Sequence, residues 1–169
     1  MECFLIDEEK NHIIAAGKST SSDFAPAQND HGFIYALDLD GDWAWGNFFY
    51  NVSYAVQTIT ACSLSSDGGH IAVMGQANSQ PIIMLLSRDD GLINKFITIE
   101  PFEEFPVAPT YVTYQALFSS ERDPDGKPFI YAAYLMGQDM HFIRFEDKDE
   151  LALDYTYKYT DGTGKIFLP

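Results

Sequence analysis

Short apolar runs broken by acidic or glycine-rich turns fill this chain, and three of the runs close alike. Ile13-Ile14-Ala15-Ala16-Gly17, Ile71-Ala72-Val73-Met74-Gly75 and Tyr131-Ala132-Ala133-Tyr134-Leu135-Met136-Gly137 each end on glycine. Each follows a second apolar run and a polar turn. Cys3-Phe4-Leu5-Ile6 leads into Asp7 to Asn11, Thr60 to Leu64 into Ser66-Asp67-Gly68-Gly69, and Tyr114 to Phe118 into Asp123-Pro124-Asp125-Gly126. Asp-Gly and Gly-Gly between apolar runs are hairpin signals, because tight hairpin turns need positive φ. After each glycine comes a third run: Phe33 to Leu37, Ile82 to Leu86, and Phe142 to Phe145. An acidic turn and a fourth run close each unit, at Trp43 to Tyr50, Leu92 to Ile99, and Leu151 to Tyr159.

The order strand, turn, strand, loop, strand, turn, strand therefore recurs three times. No segment sustains a 3.6-residue period with helix caps, so the pattern predicts almost no helix. It predicts an all-β array of about three four-stranded antiparallel propeller-like blades over 1–59, 60–110 and 111–160, with 161–169 a tail or the start of a further strand. The glycine-ended runs are the central strands, and their small residues suit the crowding of inner propeller strands. Propellers typically close with four to eight blades. Three units point to a larger or composite propeller, completed by further blades or a protein partner.

Composition narrows the function. The chain has 169 residues, 46% of them hydrophobic and 15% aromatic, enough for a real core. Its net charge of −15 repels phosphate backbones and anionic lipid, which argues against nucleic acid. No apolar run is long enough for a membrane-spanning helix, and the N-terminal residues lack a basic then apolar leader, leaving the compartment open. Cys3 and Cys62 are the two cysteines. They fall at matching places in neighbouring units, which predicts two separate buried thiols rather than a bonded pair.

At Tyr35-Ala36-Leu37-Asp38-Leu39-Asp40-Gly41-Asp42-Trp43-Ala44-Trp45 the chain resembles the PQQ-like propeller repeat: a strand, an Ala-Leu-Asp corner, a Gly turn, then Trp. The second unit is similar but lacks the Trp, and the third lacks both Gly and Trp. The resemblance implies propeller blades. For a catalytic relative it implies a quinone on the axis of a complete ring, with calcium and acids converging from several blades.

Candidate chemistry is sparse. Asp38, Asp40 and Asp42 alternate as in a calcium loop, but Trp43 and Phe49 stand where an EF-hand needs Gly and Glu. The other reading is an Asp-rich hairpin turn. Asn51-Val52-Ser53 is a glycosylation acceptor if the chain is secreted. The four histidines are His12, His31, His70 and His141, of which His12 and His70 open equivalent strands. No histidine or cysteine spacing marks a metal, and no nucleophile or phosphate-binding motif is present. Phe102 and Phe105, in the proline-rich connection 99–109, are candidates for partner contact. Three classes follow: a non-enzymatic scaffold or interaction module without a cofactor, a piece of a quinoprotein-like enzyme, and an extracellular ligand- or glycan-binding propeller.

Overall fold

The computed structural model describes residues 2–21, 23, 30–49, 56–65, 68–78, 80–98, 112–119, 129–136, 139–147 and 151–159. They form twelve strands, and among the described residues there is no helix. The first sheet contains β1 (Cys3–Asp7), β2 (His12–Ser19), β3 (His31–Asp38) and β4 (Trp43–Phe49). The second contains β5 (Val56–Leu64), β6 (His70–Ala77), β7 (Gln80–Ser87) and β8 (Ile93–Thr98). The third contains β9 (Val112–Ser119), β10 (Phe129–Met136), β11 (Asp139–Asp147) and β12 (Leu151–Tyr159).

Each sheet is an antiparallel meander in sequence order, with the glycine-ended runs on the inner strands β2, β6 and β10. The turns explain why the chain reverses where it does. Gly41, Gly68 and Gly91 take φ of 90°, 71° and 68°, which favours glycine. Asn11 does the same at 54°, as a short polar side chain can.

The sheets stack through their first strands. β5 lies against β1, β2 and β3 of the first sheet, and β9 lies against β5 and β6 of the second. The first strand of each later unit thus meets both the first and the second strand of the unit before it. The small residues of β6 also answer to their neighbour within the sheet. A Cβ on Gly75 would collide with the Thr58 carbonyl, where β5 bulges toward it. One core fills the first seam. From the first sheet it takes Cys3, Ile14, Ala16, Ile34, Ala36, Trp45 and Phe49. From the second it takes Ile71, Val73, Ile82, Met84 and Leu86, with Val56 and Ile59 on β5.

Candidate functional site

Strand register makes the first two sheets directly comparable. Phe4 pairs with Ala15 and Cys62 with Val73, so Phe4 and Cys62 hold the same place in their units. Likewise Ile13 corresponds to Ile71, Ala15 to Val73, Phe33 to Ile82, Tyr35 to Met84 and Leu37 to Leu86. Both sheets even shift register at the same point, between Ala36 and Leu37 and between Leu85 and Leu86. In the second sheet this face is sealed against the first: Ile71, Val73, Ile82, Met84 and Leu86 are all 0% exposed. In the first sheet the corresponding face points away from the seam. There Phe4, Ile6 and Trp43 are 54%, 53% and 60% exposed.

That outer face is an ordered aromatic surface. Phe33 and Tyr35 stack with ring centroids 5.8 Å apart, and Tyr35 and Trp43 stack at 5.7 Å. Phe48 lies beside Phe33 at 6.2 Å. Trp43 folds back over Gly46, where any Cβ would strike its ring. Gly46 holds the register place of Phe96, which packs onto the seam core in the second sheet. The indole thus supplies aromatic bulk at a place where its own strand has no side chain.

The seam itself is pinned at both ends of β1. At one end Cys3 and Cys62 form a disulfide with Cα atoms 5.9 Å apart. This corrects the expectation of two separate thiols. The register equivalent of Cys62 is Phe4, so the cysteines are displaced by one residue within their units. In a strand one residue changes the face. Cys3 therefore faces the second sheet while Cys62 faces the first.

At the other end stands a buried ion pair. The Arg88 Nε and Nη2 donate to the two carboxylate oxygens of Asp7, and the two side chains are 5% and 0% exposed. Arg88 Nη1 also donates to Glu9 Oε2 at 2.8 Å and to the Gly68 carbonyl at 2.6 Å. The Lys10 amide donates to Asp7 Oδ1 at 3.0 Å. Hydrogen bonding from Arg88 holds the Asp7 carboxyl below its ordinary range, overcoming the opposing effect of burial. The same bond to Asp7 raises the Arg88 guanidinium. Outside this pair Lys10 Nζ bonds Asp89 Oδ1 at 2.6 Å, which raises the Lys10 ammonium.

The 88–91 turn closes over the first sheet. Asn47 Nδ2 donates to the Asp90 carbonyl at 3.1 Å, and Gly91 is bare where a Cβ would meet the Trp45 ring. Trp45 Nε1 and His12 Nδ1 are buried and find no hydrogen-bond partner among the described residues.

The remaining candidates fall as follows. Asp38, Asp40 and Asp42 share the β3–β4 turn. Asp38 Oδ1 accepts the amides of Asp40 at 3.0 Å and Asp42 at 2.8 Å, while Asp40 and Asp42 are exposed. Among the described residues no group of three His, Cys, Asp or Glu is placed to hold a metal ion. His12 and His70 open β2 and β6. By strand alternation His12 shares the first seam with Ile14, and His70 shares the second with Ala72. Asn51, Phe102 and Phe105 lie outside the described residues. No spacing motif in the sequence marks the seam ion pair. Its signal was one base, Arg88, in an otherwise acidic turn.

No protein-family model matches the chain, and no curated protein matches it in sequence. Solved structures do match. The exotype rhamnogalacturonan lyase YesX aligns at TM-score 0.57 and 14% identity, over 92% of this chain and 32% of that one. A "putative 6-phosphogluconolactonase" from Bacteroides uniformis aligns at TM-score 0.50 and 16% identity, over 92% of this chain and 40% of that one. Both are β-propeller-like, built of antiparallel sheets. The chain spans well under half the length of either, and at such identity the likeness is one of fold.

Proposed function

We propose that the chain is a three-sheet section of a β-propeller that works as a non-enzymatic scaffold. In this reading a further propeller sheet, from the same or another chain, seats on the outer face of the first sheet. One observation carries it: Ile13, Tyr35 and Leu37 on that face hold the places of Ile71, Met84 and Leu86, which the second sheet buries against the first. The occupant that suits such a face is a sheet resembling the inner face of the first. Exposed Phe4, Ile6 and Trp43, with half-buried Tyr35 beside them, make a large apolar surface for a soluble protein to leave bare. The Tyr35 to Trp45 corner supports common ancestry with PQQ-like repeats.

The seam chemistry also limits which sheet fits. Where the first seam has Cys62, the outer face has Phe4. By ladder position Asp38 matches Ser87, so Leu39, 60% exposed, stands where Arg88 follows in the second unit. A docking sheet with a carboxylate at the place of Asp7 would bury an unpaired charge against Leu39, which is costly. A neutral, cysteine-free sheet fits. The test is a photo-crosslinking residue at Phe4 in the full-length protein in its native cells. Crosslinks to a strand segment of another propeller sheet support the reading. Their absence, or crosslinks to non-protein material, would overturn it.

A further inference from the structure

The Cys3–Cys62 bridge is specific to one seam, and its setting points to a compartment. Repeat ancestry does not account for it, because the two residues are not register equivalents. The place of Cys62 in the first unit holds Phe4, and the place of Cys3 in the second holds Ala61. Each cysteine stands alone in its own unit, and the two meet only across the seam. They are the two cysteines of these 169 residues, and neither is left free. Cys3 is 8% exposed and belongs to the seam core. The bridge ties strands of different sheets, with a sequence separation of 59. It lies at the opposite end of β1 from the Asp7–Arg88 pair. Together they fix both the spacing and the register of the first two sheets.

We infer that this chain folds in an oxidising compartment, secreted, lumenal or periplasmic, and that the Cys3–Cys62 bridge is its permanent covalent staple. Structural disulfides persist there and are rare where thiols are kept reduced. Formation is a thiol–disulfide exchange. The Cys3 and Cys62 thiols each lose a proton and together give up two electrons, forming one S–S bond. The oxidant is a small-molecule or protein disulfide, which leaves as two thiols. This inference does not rest on the scaffold reading, since the first seam lies within the described chain.

The test refolds the full chain in a glutathione/glutathione-disulfide buffer poised like the secretory lumen, followed by intact mass and peptide mapping. The expected product is lighter by two hydrogens, with no free thiol and one crosslinked peptide pair joining Cys3 to Cys62. Reduction should lower the melting midpoint by roughly 10 °C. Cys3→Ser and Cys62→Ser should each match the reduced wild type, and the double variant should fall no further. Two free thiols in that buffer, or a midpoint that reduction leaves unmoved, would overturn the inference. So would recovery of the protein from its native cells with both thiols reduced.

Discussion

Two faces of this molecule occupy the same register places and meet opposite fates. The face of the second sheet that carries Ile71, Met84 and Leu86 is sealed, with each of these residues 0% exposed. The face of the first sheet that carries Ile13, Tyr35 and Leu37 is covered by nothing in the described chain. The difference teaches that a propeller sheet is a two-faced object whose second face gains its stabilisation only from a neighbour. Burial is worth about 25 cal/mol per Å² of apolar surface. On the proposed reading a neighbouring sheet would add that contribution over Phe4, Ile6 and Trp43.

The comparison breaks most readily at the ion pair that belongs only to the sealed face. Arg88→Ala leaves Asp7 buried without its partner and should cost about 4 kcal/mol, read by urea unfolding. Next come matched pairs of identical residues. Leu86→Ala and Ile71→Ala should each cost about 3 kcal/mol. Leu37→Ala and Ile13→Ala, at the equivalent places on the open face, should each cost about 1 kcal/mol. Equal costs within each pair would show that the open face is already packed.

Acid sharpens the same contrast. The folded-state pKa of Asp7 lies below its ordinary 3.8, so its contribution is present above that value. It is lost as pH falls through the folded pKa. Midpoints followed from pH 5 downward should fall steeply in the wild type and less steeply in Asp7→Asn, which starts lower. The smallest expected effect is Gly46→Ala. Its Cβ displaces the exposed Trp43 ring from Tyr35, so indole fluorescence should change while stability moves by less than about 1 kcal/mol.

Much of this architecture was legible in the sequence. Glycine-ended runs at Gly17, Gly75 and Gly137, with hairpin signals at Asp67-Gly68 and Asp90-Gly91, foretold four-stranded meanders because turn chemistry is local. What crosses between sheets was not legible. Cys3 and Cys62 look equivalent when units are aligned by eye, and the ladder separates them by the one residue that reverses a strand's face. Arg88 and Asp7 stand in different units, and nothing in either turn announces the other. Both faces of the first sheet are apolar, so apolar pattern alone could not say which would be covered. Asp38 shows how local the turn chemistry is: its carboxylate accepts the amides of Asp40 and Asp42 in its own turn.

The central claim is that the outer face of the first sheet is an interface surface left open. Sedimentation velocity on the purified chain across a concentration series tests it most directly, with the Phe4→Thr, Ile6→Thr double variant alongside. Threonine keeps the strand preference while removing the apolar contact. The account predicts concentration-dependent association of the wild type, sharply weakened in the variant, whose melting midpoint is unchanged. A wild type that sediments as a concentration-independent monomer and unfolds in one sharp transition would contradict it.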